Sequence, residues 1–208
     1  MKVLLYNGSP HKTGCTYTAL VETARELNAN GVETEIVQVG SKPFAGCVAC
    51  TACYKTGKCA FGEQDGLNEL AAKCAEADGF VFGSPVYYAS ANGNLISFMD
   101  RLFYSGGRYL AHKPAAAVVS ARRAGTTASL DELNKYFTIN QMPVVSSTYW
   151  NMVHGSKAED VAQDQVGLQT MRNLAKNMAW LLKCIDAGKQ AGIQAPEADR
   201  GMRTNFIR

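Results

Sequence analysis

Continuous apolar runs alternate along the chain with stretches of helical periodicity. Lys2–Tyr6, Glu33–Val39, Gly79–Gly83, Ala115–Ser120 and Pro143–Ser147 predict five strands. Phe80-Val81-Phe82 and Ala116-Ala117-Val118-Val119 have no polar position, as expected of parallel strands covered on both faces. Between them, Thr16–Asn30 places Tyr17, Leu20, Val21, Ala24 and Leu27 on one helical face, and Gly31 follows as a stop signal. Further helices are expected over Leu67–Glu76, capped by Asp65, over Asn92–Tyr104 and over Thr126–Ile139. The stretch Ala158–Ala187 repeats Leu168, Met171, Leu174, Met178, Leu181, Leu182 and Ile185, one hydrophobic stripe that predicts a single long helix.

Alternating strands and helices predict an α/β fold: a doubly wound, five-stranded parallel sheet with helices on both faces. Residues 1–188 form the expected domain, with a cysteine-rich loop over 44–64, and 189–208 read as an extended C-terminal tail carrying Arg200, Arg203 and Arg208. In such sheets ligands bind beyond the carboxyl ends of the strands, at the topological switch point. That directs attention to the loops at 7–15, 40–64, 84–92, 121–126 and 148–158.

Composition narrows the classes. With 208 residues, 47% hydrophobic and 19% charged, the chain can bury a sizeable core without help from metals or disulfides. No run approaches the roughly 18 consecutive apolar residues of a membrane span. The N-terminus reads as a buried first strand rather than a signal peptide, and the expected compartment is the cytoplasm. A net charge of +3, scattered along the chain, argues against a nucleic-acid partner. It has the wrong sign for a strongly acidic electron carrier.

Seven cysteines stand out: Cys15, Cys47, Cys50, Cys53, Cys59, Cys74 and Cys184. In a cytosolic chain they are not expected to form disulfides. Cys74 and Cys184 lie in helical patterns and read as small core residues. Cys47, Cys50, Cys53 and Cys59 are compactly spaced, with two-residue gaps and then Tyr54-Lys55-Thr56-Gly57-Lys58. Short gaps let successive sulfurs reach different irons of one [4Fe–4S] cluster, Gly57 can turn the chain back, and Lys55 and Lys58 would offset negative charge. Four-cysteine zinc sites more often come as two separated knuckles. A cluster, zinc and free or redox-active thiols remain the alternatives.

The first loop, Asn7-Gly8-Ser9-Pro10-His11-Lys12-Thr13-Gly14-Cys15-Thr16, leaves a strand and opens a helix. Its glycines, hydroxyls and free backbone N–H groups suit one phosphate. It matches neither a nucleoside-triphosphate loop nor a dinucleotide fingerprint. The helix N-terminus could lower the pKa of Cys15, whose expected role is packing near a phosphate. Gly83-Ser84-Pro85-Val86-Tyr87-Tyr88 pairs a rigid turn with two tyrosines, against which a flat aromatic ligand could lie. Ala121-Arg122-Arg123-Ala124-Gly125-Thr126 adds a cationic site. His154 follows the fifth expected strand on the ligand side, where a structural hydrogen bond is the plainer role.

These loops on a five-strand doubly wound sheet resemble the flavodoxin-like NAD(P)H-dependent FMN reductases, over essentially residues 1–187. The cysteine spacing, and Gly167-Leu168-Gln169-Thr170-Met171 on the last helix, resemble the iron–sulfur flavoprotein branch. The resemblance implies FMN, with Ser9, Pro10, Lys12, Gly14, Cys15 and Thr16 around its phosphate. It also implies Pro85, Val86, Tyr87 and Tyr88 along the isoalloxazine, Ser120, Arg122 and Gly125 beside the ring's polar edge, and Cys47, Cys50, Cys53 and Cys59 as cluster ligands. His11 stands where many relatives carry Arg, and Tyr149–Gly155 lies outside the minimal pattern.

The expected function is an oxidoreductase taking electrons from NAD(P)H through FMN to a small-molecule acceptor: a quinone, flavin, nitroaromatic or oxygen. The alternatives are transfer from ferredoxin through [4Fe–4S] to FMN, a flavodoxin-type carrier without catalysis, and a zinc-stabilised interaction module. Trp150, Tyr104, Tyr109 and Phe206-Ile207 suggest the interface of a homodimer or homotetramer.

Overall fold

The computed structural model describes residues 1–202, Thr204 and Phe206. In chain order the elements are β1 (Lys2–Asn7), α1 (Cys15–Ala29), β2 (Glu33–Gln38), α2 (Ala52–Thr56), α3 (Gly62–Asp65), α4 (Leu67–Lys73), β3 (Gly79–Tyr87), β4 (Ser90–Ala91), α5 (Gly93–Gly106), β5 (Ala115–Ala121), α6 (Thr126–Ile139), β6 (Met152–His154), α7 (Ala158–Val161) and α8 (Gln165–Gln190). Five strands pair in parallel in the order β2-β1-β3-β5-β6, and β4 folds back antiparallel on the end of β3. This is the doubly wound α/β sheet that the sequence predicts. Its winding reverses beside β1, between the ends of β1 and β3, where Gly8 N donates to Gly83 O at 2.8 Å.

The two-residue period of the strands separates two cores. Leu4, Tyr6, Phe80, Phe82, Ala117 and Val119 face α4, α5 and α6. Val3, Leu5, Val81, Ala116 and Val118 face α1 and α8. Cys74 is buried as expected, and Tyr6 Oη lies 3.0 Å from its Sγ. Burial pushes the Cys74 thiol up to about 11, which makes it a packing residue at neutral pH. Cys184 is exposed, against expectation. The buried stripe of α8 runs through Leu174, Met178 and Leu182, and a residue two beyond Leu182 has turned about 200° away from it.

Two further expectations are corrected. The fifth strand does not run through Pro143–Ser147: Val144 only bridges Ala115, and regular pairing resumes at Met152–His154 against Val119–Ala121. The intervening polar run is bound by α8 instead. Ser147 Oγ donates to Thr170 O at 2.7 Å, Asn177 Nδ2 to Ser146 O at 2.9 Å and Asn173 Nδ2 to Thr148 Oγ1 at 3.0 Å. The long C-terminal helix is also interrupted. Asp164 caps α8 by accepting from Gly167 N at 2.9 Å, and it accepts from His154 N at 2.8 Å. The helix then continues to Gln190, past the expected start of the tail at 189. Of the residues expected at the tail's end, Arg203, Ile207 and Arg208 lie outside the described set. Among the described residues no helix is long and apolar enough to cross a membrane.

At the open edge, Glu35 on β2 pairs with Lys73, and with Lys2 at 3.1 Å. The Lys73 hydrogen bond, aided by Lys2, holds the Glu35 carboxyl below its ordinary range. A depressed folded pKa stabilises above the unfolded pKa, and the benefit is lost as pH falls through the folded value. Glu35→Gln should therefore lower Tm slightly at pH 7 and leave it unchanged once the carboxyl is protonated, in melts run from pH 7 to below 3. An equal loss at both ends would show that the carboxylate's charge is not what stabilises the edge.

Candidate functional site

Side chains at the carboxyl ends of the central strands brace the first loop. Buried Asn7 donates from Nδ2 to Gln38 Oε1 at 2.7 Å and accepts from Ser9 N at 3.2 Å. Gln38 Nε2 donates to Ser9 O at 2.7 Å, and Asn92 Nδ2 to Gly8 O at 2.7 Å. The loop is thereby fixed from β1, β2 and α5 at once. It delivers the chain to α1 through Gly14, an N-cap with no side-chain cap, so the first N–H groups of α1 remain unspent. An anion is the natural partner for such a terminus.

Above the loop lies a cavity of about 710 Å³, within the ordinary range for small-molecule sites. Ser9, Gly14, Cys15 and Thr16 line its base, Pro85, Val86 and Tyr87 one wall, and Ser120 and Arg122 another. The pairing of an anion cradle with a rigid Pro-Val-Tyr wall fits a flat phosphorylated cofactor. Four expected contacts do not line the cavity. Pro10 and Lys12 are exposed, and Tyr88 is fully exposed at a tight turn with φ of 60°. Gly125, at φ of 95°, packs behind the wall, where an added Cβ would sit 2.8 Å from Val86 Cγ1.

His11, Thr13 and Ala121 also line the cavity, as does the run Gly155–Glu159 after β6. All but Glu159 of that run falls in the loop at 148–158 to which the strand pattern directs attention, although none of its residues is named there as a cofactor contact. Cys15 Sγ donates to Gly155 O at 3.4 Å. Burial pushes its thiol up, with Asp160 and Glu159 adding to the rise, and this outweighs the lowering expected from the helix N-terminus. His154 is not on the cavity lining. Its Nδ1 lies 3.9 Å from Asp164, a structural pairing.

Thr16 Oγ1 and Ser120 Oγ, both buried, lie 2.8 Å apart and tie α1 to β5 beneath the cavity. Thr16→Val should weaken FMN binding about tenfold, roughly 1.4 kcal/mol, by leaving the Ser120 hydroxyl without its partner. Fluorescence titration of apoprotein with FMN reads this directly, and unchanged affinity would remove Thr16 from the site.

A second site lies on α5. Asn94, Phe98, Arg101, Ser105 and Arg108 follow at spacings of four and three, one helical face that continues into the turn after α5. This face carries the cysteine loop. Asn94 Oδ1 accepts from Phe44 N at 2.6 Å, and the rings of Phe44 and Phe98 lie 5.1 Å apart. Arg108 Nη2 donates to Gly57 O at 3.1 Å. Gly57 adopts φ of 70° at the end of α2 and turns the chain toward Cys59, as its position suggests.

Cys47, Cys50, Cys53 and Cys59 line one cavity together with Arg101, Tyr104 and Ser105. Cys47 and Cys50 are exposed, and Cys53 and Cys59 half-buried. Cys59 is the most firmly placed. Its N–H donates to Asn68 Oδ1 at 2.9 Å, its carbonyl accepts from Asn68 Nδ2 at 3.0 Å, and its Sγ accepts from Arg101 Nε at 3.3 Å. Burial pushes the Cys53 thiol up, and Cys50, Cys47 and Cys59 push it further. A thiol raised by its neighbours in this way gains from a bound cation. Among the described residues no three His, Cys, Asp or Glu side chains are grouped to hold a single ion. Four cysteines lining one cavity are the donor set that a [4Fe–4S] cluster takes.

Residues 1–157 match the family described as NADPH-dependent FMN reductase. An iron-sulfur flavoprotein of Methanocaldococcus jannaschii is 33% identical over 193 residues, which span 89% of this chain and 99% of that protein. Among solved structures, RosB with bound 8-demethyl-8-formylriboflavin-5'-phosphate superposes with a TM-score of 0.70 at 15% identity, covering 100% of this chain and 92% of that one. A flavodoxin from the domain Archaea superposes with a TM-score of 0.59 at 14% identity, covering 88% and 99%. The two structures speak to a flavodoxin-like fold, and the sequence matches to descent. With a cavity at its switch point over the uncapped start of α1, this chain belongs to the NADPH-dependent FMN reductase family, in its iron–sulfur flavoprotein branch, and is an FMN-dependent oxidoreductase.

Proposed function

We propose that the chain carries a [4Fe–4S] cluster on Cys47, Cys50, Cys53 and Cys59 beside its FMN, takes single electrons from a ferredoxin-type donor and delivers them to a small acceptor. The observation that carries this reading is the convergence of those four cysteines on one cavity held by a single face of α5. The jannaschii relative's name, iron-sulfur flavoprotein, supports it. Bound in the larger cavity, FMN supplies reversible one- or two-electron transfer. The chain's own part is to hold and orient: the first turn of α1 with Ser9 and Thr16 takes the phosphate, Pro85 and Val86 form a rigid wall, and Arg122 gives the cavity a fixed positive charge. No side-chain acid or base is required of it.

A second reading, direct reduction by NAD(P)H, is favoured by the breadth of the FMN cavity, about 710 Å³ with Tyr87 43% exposed on its wall. Acceptors in either case are quinones, free flavins, nitroaromatics or oxygen. Exposed Tyr104, Tyr149 and Trp150 support a homodimer or homotetramer, which light scattering would measure.

The test is anaerobic purification with FMN, iron and zinc quantified on one sample. The proposal expects about four irons per chain and a flavin band bleached by reduced ferredoxin faster than by NADH or NADPH. Flavin without iron overturns the cluster, and rapid bleaching by a pyridine nucleotide alone selects the second reading.

A further inference from the structure

Arg101 is the one buried basic side chain among the described residues, at 2% exposure. All three of its guanidinium nitrogens are engaged. Nη1 and Nη2 donate to Asp65 at 2.5 and 3.3 Å, and Nη1 also donates to Ala45 O at 3.2 Å. That fork leaves Nε, whose N–H points to Cys59 Sγ at 3.3 Å. A residue serving only to pin the loop would need its bonds to Ala45 and Asp65. The bond to sulfur has a further consequence.

We infer that Arg101, through its N–H to Cys59 Sγ and its buried charge trimmed by Asp65, sets the reduction potential of the cluster at the cysteine site. The inference rests on the cluster proposed above. Reduction adds one electron from a one-electron donor and neither forms nor breaks a bond, so the charge of the cluster and its thiolates becomes more negative by one. A hydrogen bond to a ligating sulfur and a nearby cation both favour the more negative state. Burial keeps solvent ions from screening the charge. Asp65 works in the opposite direction, because its carboxylate offsets part of the Arg101 charge. The device therefore has two parts of opposite sign: Arg101 raises the potential and Asp65 limits the rise.

The experiment is a redox titration of the full-length, FMN- and iron-loaded protein, following the reduced cluster by electron paramagnetic resonance and the flavin by absorbance. Arg101→Gln should lower the reduced-to-oxidised ratio of the cluster at a fixed potential about tenfold, a downward shift of about 59 mV for a one-electron couple. Arg101→Lys, which keeps the charge but loses the fork, should fall between Arg101→Gln and the parent. Asp65→Asn should shift the potential upward. A merely structural role would move Arg101→Gln and Asp65→Asn in the same direction or leave both potentials unchanged, and either result overturns the inference. If Arg101→Gln fails to load iron, the sign of the Asp65→Asn shift decides alone. Parent protein without iron would end the cluster reading and this inference with it, and the parent's iron content separates that outcome from a failure of Arg101.

Discussion

Gly40→Ala should weaken FMN binding by about 100-fold or more while leaving a folded protein. Gly40 follows β2, and its N–H donates to Asn7 O at 3.0 Å. An added Cβ would lie 2.3 Å from the carbonyl carbon and oxygen of Ser9 and 2.4 Å from Gly8 O. These are backbone atoms, so no side chain can rotate away. The loop must move, and it carries the Ser9 hydroxyl and the chain leading to the first N–H groups of α1. Hydrogen bonds to a charged group contribute about 1.5–3 kcal/mol each, so misplacing two of them accounts for the loss. Gly93→Ala is the control, because nothing lies within 4 Å of its added Cβ. Titration of both apoproteins with FMN checks the pair. A Gly40→Ala protein that binds FMN within threefold of the parent would mean that the phosphate is not held by the Gly8–Ser9 backbone.

Gly40 shows what the sequence could not display. Its role arises because β2 lies next to β1, which places residue 40 against residues 8 and 9, a contact visible only once the strand order is known. The brace beneath the first loop was equally hidden: Asn7 read as the loop's first residue and Gln38 as part of the second strand, yet together they hold the loop. Cys47, Cys50, Cys53 and Cys59 were legible because their spacing is local. The platform beneath them was not. The helical spacing of Leu95, Phe98, Met99 and Leu102 was legible, whereas Asn94, Arg101, Ser105 and Arg108 carried no signal of their own. They became a binding face only because the loop over 44–64 folds back across it. The parallel sheet followed from its apolar runs, most firmly in β1, β3 and β5. The fifth strand failed where hydroxyl-bearing residues at 146–148 found partners on α8 instead of in the ladder. The loop at 148–158 nonetheless reached the cavity through Gly155–Ala158, because the true strand ends at His154, inside that range.

The double variant Cys53→Ala/Cys59→Ala should purify with FMN at the parent level and with iron reduced from about four per chain to below about one. The two cavities have no lining residue in common, and none of residues 40–64 lines the larger one. Flavin occupancy should therefore be insensitive to the thiols. Cys59 is the proposed ligand whose backbone and sulfur are both fixed in advance, by Asn68 and Arg101, and Cys53, half-buried like it, lies in sequence between it and the exposed pair. Removing both leaves only Cys47 and Cys50, which flank Ala49 at φ of 53° on a stretch without regular structure. Two thiols so placed cannot satisfy four irons. Cys184→Ala, on the exposed side of α8, should leave both cofactors unchanged. Iron retained by the double variant would move the ligands elsewhere in the chain. Loss of FMN together with iron would make the cysteine loop part of the flavin site, and the two cavities would then have to be treated as one centre.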